Sequence, residues 1–238
     1  MKLFSRLILF SAVAATCSYA DLMLVQGTGT LENLTSRQGL GYGSTNGPVT
    51  LGSGIVFTAS GNAGAGAILG TGTFWLNSNG TWGENGQLYM GVNRADNVYI
   101  RLELPSLATE ITAFLNYAPT FGVAPTIAAL DASLNVLESY NLALSAPIAT
   151  SNATNEGAFR GISRTQGDIK YFEIRNSYIV ATNINFTLAP PPPPDPIPGG
   201  GGGGIGGQAV PEPTAHLVSA AALCTACFLR RRHRRRCF

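Results

Sequence analysis

Between Gly54 and Leu188 the sequence rises into short apolar or β-branched runs and falls back, every few residues, into Gly, Pro, Asn, Asp and Ser. The run "NVYIRLELP" has the plainest form: Val98, Ile100, Leu102 and Leu104 alternate with Tyr99, Arg101 and Glu103. Successive side chains of a strand point to opposite faces, so the alternation predicts one face in a core and the other in solvent. "GIVFTAS", "GTFWLN", "GQLYMGV", "EITAFLNYAP", "TIAALDA", "LNVLESYNL", "GAFRGIS", "DIKYFEIR" and "YIVATNINFTL" read the same way. No amphipathic helix long enough for a parallel crossover separates them, and an all-β antiparallel sandwich or barrel is the expectation for residues 21–189. The segment "AALDASLNVLESYNLAL" has a helical competitor, since Leu130, Leu134, Leu137 and Asn141 trace a helix face. "DASLN" is strong turn chemistry, and strand-turn-strand is preferred. The stretch from Leu40 to Gly72 is rich in Gly, Ser, Thr and Asn; its "GAGAILG" has phosphate-loop spacing but no Lys and no following helix, and reads as turns and strand glycines.

This body must be stabilised by packing alone. The cysteines are Cys17, Cys224, Cys227 and Cys237, all in the terminal segments, so no disulfide staples the body, and its length suffices for a sizeable core. The net charge of +2 averages unlike segments: residues 21–209 hold seven Lys and Arg against twelve Asp and Glu, while the last nine residues hold six arginines. An acidic body with scattered cations lacks the basic groove that a nucleic-acid partner requires.

The two ends describe export. "MKLFSRLILFSAVAATCSYA" places Lys2 and Arg6 before an apolar run, then Ser18 and Ala20 at −3 and −1 of a signal-peptidase site. It reads as a signal peptide, residues 1–20, cut before Asp21; the residues preceding Cys17 do not form a lipobox. After Ala189 come five prolines, Pro190–Pro194, then "DPIP" and a glycine run, which make residues 190–209 a linker. Its polyproline part spans roughly 28 Å and its glycine part adds about 15–18 Å as a coil average. Cys224 and Cys227 have C-x-x-C spacing inside an apolar segment without a neighbouring acid, and read as small packing residues of a membrane helix.

Catalysis is narrowed by what residues 21–209 lack. They contain no His and no Cys, which removes Ser-His-Asp and Cys-His nucleophiles and every His-liganded metal. No residue set calls for a cofactor or a metal. Glycosidases need only two carboxylates, and Glu84, Asp96, Glu103, Glu110, Asp131, Glu138, Glu156, Asp168 and Glu173 are available. None forms a tight E-x-D-x-x-E cluster, and Glu103, two residues from Arg101 on one face, is expected in a surface ion pair with it. Tyr42, Trp75, Trp82, Tyr89 and Tyr99 are the aromatics to weigh for sugar stacking. Trp75 is flanked by Phe74 and Leu76, so either face could be core, whereas Trp82 sits among the turn residues of "NGTWGENGQ" and is the expected exposed glycan contact. The N-x-T matches at Asn33, Asn79, Asn152 and Asn185 are chance features of an Asn- and Thr-rich surface.

The chain closes with "VPEPTAHLVSAAALCTACFLRRRHRRRCF", Val210–Phe238. From Thr214 to Leu229 it is long enough for roughly 24 Å of helix, short for a hydrocarbon core of about 30 Å yet able to span with arginine snorkelling. Arg230, Arg231, Arg232, Arg234, Arg235 and Arg236 form a stop-transfer cluster that holds the C-terminus in the cytoplasm. A polybasic surface anchor is the alternative.

A VPEP motif, an apolar helix and an Arg-rich tail in this order closely resemble the PEP-CTERM sorting signal of Gram-negative exosortase substrates. The resemblance covers residues 210–238 and implies that Pro211, Glu212 and Pro213 are recognised by an exosortase, an integral-membrane Cys-dependent enzyme. His216 at the start of the helix and the trailing Cys237-Phe238 depart from the pattern. "ITAFLNY", "IAALDASLNVLESYNL", "FRGIS" and "IVATNINFTL" resemble strands of jelly-roll, carbohydrate-binding-like ectodomains. Together the resemblances imply an inner-membrane-anchored precursor sorted to the cell surface or extracellular matrix, where a non-catalytic body contacts polysaccharide or protein. A secreted glycosidase-like enzyme is the alternative. The mature protein is therefore expected to lack residues 1–20 and, in an exosortase-positive cell, the segment beyond Pro213. Intact-mass measurement of the exported protein checks this: a species ending in Phe238, unaffected by Glu212→Ala, would leave a plain membrane anchor.

Overall fold

The computed structural model describes residues 20–34, 43–60, 67–70, 72–92 and 98–191. They belong to one of the two units into which the chain divides, Met1–Pro192. The other unit, Pro193–Phe238, lies outside the described residues, and with it the Pro-Glu-Pro motif, the segment expected as a membrane helix and the arginine cluster; so does the segment expected as a signal peptide, up to residue 19.

Among the described residues the chain is mostly antiparallel β-sheet with one short helix. The strands are β1 (Ala20–Met23), β2 (Thr30–Glu32), β3 (Gly43–Ser44), β4 (Val49–Thr50), β5 (Val56–Ala59), β6 (Ala67–Gly70), β7 (Phe74–Trp75), β8 (Thr81–Trp82), β9 (Tyr89–Val92), β10 (Tyr99–Tyr117), β11 (Thr126–Leu130), β12 (Val136–Asn141), β13 (Ala158–Arg164), β14 (Ile169–Arg175) and β15 (Ile179–Leu188); the helix α1 is Leu142–Ser145. Thirteen of these strands form one sheet, and β7 and β8 pair with each other.

The sequence predicts separate strands before and after Pro105. The chain instead runs through as β10, nineteen residues long. Pro105 lacks an N–H to give to a ladder, and it lies where none is needed: the β14 register shifts between Glu103 and Ala108, and Pro105, Ser106 and Leu107 are exposed. Before the shift, β10 pairs with β14 on one side and β5 on the other; after it, with β13 and β15. One half of the sheet is thus β4, β5, β10, β14, β11 and β12, and the other is β1, β13, β10 and β15, continued by β9, β6 and β3, with β2 also on β15. Both halves line a single apolar core, which takes Ile100, Leu102, Ile127 and Phe172 from the first and Ile111, Leu115, Ile162 and Ile184 from the second. The outer edges also meet, where the Tyr140 hydroxyl of β12 donates to the Ala20 carbonyl of β1 at 3.4 Å, so the sheet nearly closes on itself.

The segment with a helical competitor is strand-turn-strand, β11 and β12 joined by a turn. Asp131 builds that turn: Oδ1 accepts from the amides of Ser133 and Asn135, and Oδ2 from the Asn135 side chain. These bonds, the side-chain bond of Asn135 foremost, hold the Asp131 carboxyl below the usual carboxylate range. With no covalent staple in the body, stability depends on core packing. Phe172→Ala, which empties a fully buried site in that core, should cost about 3–5 kcal/mol. Urea unfolding checks this through a lowered midpoint at unchanged m-value.

Candidate functional site

On the outer face of the second half of the sheet lies the β7–β8 hairpin, in which Phe74 is directly opposite Trp82 and Trp75 opposite Thr81. Because strand side chains alternate, Phe74 and Trp82 share one face and Trp75 and Thr81 the other. The first face packs inward: Phe74, Leu76, Trp82, Tyr89 and Val180 form a second apolar cluster, with Phe114 and Tyr178 against it. Trp82 stacks on Phe114 with ring centroids 5.7 Å apart, and its Nε1–H donates to the Glu156 carbonyl at 2.7 Å. Tyr89 also belongs to this layer; its hydroxyl donates to the Gly72 carbonyl at 2.7 Å, and burial raises its pKa.

This corrects the expectation for Trp82, which is 0% exposed, while Trp75 is 73% exposed. The flanking glycines mislead because they serve close packing. Gly80 (φ +89°) lies against the backbone of Asn152 and Ala153, and Gly83 (φ +85°) against Gly72, leaving no room for a Cβ in either place. Trp82 is held between them. Only the pairing register decides which tryptophan faces solvent, and no single strand of sequence carries it.

The hairpin is fastened to the sheet by a buried polar hub. Asn79 Nδ2 donates to Asn116 Oδ1 at 2.8 Å, to the Tyr117 carbonyl at 2.9 Å and to the Ile148 carbonyl at 3.1 Å, while its Oδ1 accepts from the Thr150 amide at 3.2 Å. Asn116 Nδ2 donates onward to Thr150 Oγ1 and to the Glu156 carbonyl. Asn79 and Asn185 are buried, so two of the four N-x-T matches are internal hydrogen-bonding groups; Asn33 and Asn152 are exposed. Asn155 adds a further clasp, accepting from the Gly83 amide and donating to the Glu84 carbonyl.

A cleft of about 310 Å³ opens beside this layer, lined in part by Tyr117, Phe121, Val123, Pro125, Ile148 and Ser177. Phe121 meets Tyr178 edge to face at 4.8 Å, and Tyr178 in turn lies 6.5 Å from Phe74. Cleft and hairpin therefore share one aromatic chain. Arg160, buried nearby, donates to the carbonyls of Ala146, Phe159 and Pro147, and desolvation lowers its pKa. It acts as a clamp on the loop after α1.

The carboxylates are dispersed, most with a structural partner. Glu84 accepts from Thr81 Oγ1, Asp131 builds its turn, and Asp168 is bidentate with Arg164, whose pKa it raises. Glu103 pairs with Lys170 at 3.1 Å rather than with Arg101. Arg101 instead binds Glu173, which stands directly opposite it on β14. A cross-strand neighbour is about 5 Å away and a residue two positions along the same strand nearer 7 Å, so the intended pair loses on distance. Glu138 lies on β12, Glu110 on β10 and Glu156 in the exposed loop before β13; Tyr42 and Asp96 lie outside the described residues. Among the described residues no group of three or more His, Cys, Asp or Glu is placed to hold a metal, and no helix is long and apolar enough to cross a membrane.

No protein-family model matches the chain, and no curated protein does. Among solved structures, a mutant of the lectin binding domain of Lectinolysin complexed with Lewis b is similar over 62% of this chain and 99% of that one, at 12% identity and a TM-score of 0.35. A likeness of that size leaves the activity to be argued from the residues themselves. The hub makes the first quantitative demand: Asn79→Ala orphans several buried groups at once and should destabilise the fold by about 3 kcal/mol, read as a lowered urea midpoint.

Proposed function

We propose that the body is a non-catalytic, exported surface or extracellular-matrix module that holds polysaccharide on the outer face of the β7–β8 hairpin. The observation that carries this reading is Trp75: a 73%-exposed indole on a hairpin whose opposite face is locked by the fully buried Trp82. An exposed indole is an apolar plate with a polar edge, the shape that stacks on the C–H face of a pyranose. Its backbone is already immobilised by the inner face, so little ordering entropy opposes binding. Thr81 stands directly across from Trp75, and its hydroxyl is bonded to Glu84 at 2.8 Å, which places hydroxyl and carboxylate beside the ring as partners for sugar hydroxyls.

The same reading takes the folded sheet as a jelly-roll-like sandwich and the terminal segments as delivery: signal peptidase at residue 20, the inner membrane as a way station, and an exosortase acting on Pro211, Glu212 and Pro213. The glycosidase alternative needs two carboxylates set about 5–10 Å apart, one of them protonated. Glu103, Asp168 and Glu173 are each held by a cation, which favours the binding reading. Trp75→Ala should weaken retention on a neutral β-glucan matrix about tenfold while leaving the melting temperature unchanged, because it removes an exposed ring. Affinity electrophoresis beside thermal melting checks this. Unchanged retention, or release of reducing ends from the glucan, would defeat the proposal.

A further inference from the structure

The outer face of the first half of the sheet carries a second constellation, remote in the pairing order from the hairpin. Arg101 on β10 and Glu173 and Arg175 on β14 stand side by side with Tyr99. Glu173 is 0% exposed, and its two oxygens divide between the cations: Oε1 accepts from Arg101 Nε at 2.7 Å and Nη2 at 2.6 Å, and Oε2 from Arg175 Nε at 2.5 Å and also from its Nη2. The guanidinium of Arg101 lies 4.7 Å from the Tyr99 ring centre and 5.9 Å from that of Tyr171, and that of Arg175 lies 5.5 Å from Tyr99. Both guanidiniums are thereby fixed in plane and position by a carboxylate beneath them and an aromatic ring beside them.

We infer that Arg101 and Arg175 form an anion-binding plate for the carboxylate or sulfate groups of an acidic polysaccharide. Two guanidiniums bring ten N–H donors, and one carboxylate satisfies only a few of them. Donors and one positive charge are left in excess, and the arginine side chains remain 22% and 40% exposed. The other cations among the described residues are spent: Arg164 on Asp168, Lys170 on Glu103, and Arg160 on three carbonyls. On a body with four negative charges in excess, this plate is the place, among the described residues, where one acid is shared by two cations. Guanidinium forks match carboxylate and sulfate geometry in bidentate pairs. Around them the sheet face adds Thr58 opposite Arg101 and Thr126 opposite Arg175, on the strands that flank β10 and β14. A polar face with a ring, two forks and flanking hydroxyls suits an extended sugar chain that bears acidic groups. The polymeric nature of the ligand rests on the exported-module reading; capture of the anion by Arg101 and Arg175 does not.

The test uses the full-length protein in detergent micelles against polygalacturonate, dextran sulfate and neutral dextran, measured by biolayer interferometry at low and moderate salt. The expected result is binding to one or both anionic polymers that weakens with salt, falls about tenfold in Arg175→Ala and is only partly restored in Arg175→Lys. Which anionic polymer binds identifies the acid as carboxylate or sulfate. Equal binding by Arg175→Ala with an unchanged melting temperature overturns the plate, as does loss of binding in Trp75→Ala alone. A dimer in light scattering that dissociates in Arg175→Ala overturns it as well, because a second copy would then be the occupant.

Discussion

Everything in the body is built on the fact that β10 serves two sets of neighbours. Its residues Ile100 to Glu103 are paired on both sides by β14 and β5, and its second half by β13 and β15. Without disulfides, the two halves of the sheet are kept in register by this continuous backbone and by the core both of them line. The shift around Pro105 lets the strand change partners: where the chain offers no N–H, the ladder asks for none. Side chains then stand at predictable places on two outer faces, and each outer face carries one of the two proposed contact surfaces.

Those surfaces are exposed because something beside them is buried. Trp75 projects outward because Phe74 and Trp82 are drawn onto Phe114 and Tyr89, and because the Asn79–Asn116–Thr150 hub holds the hairpin against the sheet. Arg101 and Arg175 lie flat because Glu173 is sunk between them with both oxygens occupied. A buried carboxylate without cations would be costly, and two adjacent arginines without an anion would repel. The triad resolves both and leaves a net positive charge facing solvent. In each place a rigid inner residue prepares an outer one, the arrangement that lowers the ordering cost of binding.

Local chemistry was legible from single residues. Alternation in "NVYIRLELP" fits the observed burial of Ile100, Leu102 and Leu104, and "DASLN" forms its turn through the Asp131 carboxylate, overriding the helical spacing of the leucines around it. Each of these depends on neighbours a few positions apart. Two of the departures, Trp82 and the Arg101–Glu103 pair, share another cause: the deciding partner lies elsewhere in the chain. Nothing near Trp82 announces that Gly80 and Gly83 are pressed against the backbones of Ala153 and Gly72, and nothing near Arg101 announces Glu173, seventy-two positions away.

By itself, then, the sequence determined the β character of the body, its independence from disulfides, its acidic charge and the absence of His and Cys chemistry, since composition and period-two patterning are properties of the chain before it folds. Tertiary structure decided which tryptophan meets solvent, which acid each arginine holds, and where Asn79 spends its hydrogen bonds. Those outcomes depend on strand register and on which strands become neighbours. A slip of one residue would exchange every inward side chain for an outward one without altering a letter of the sequence.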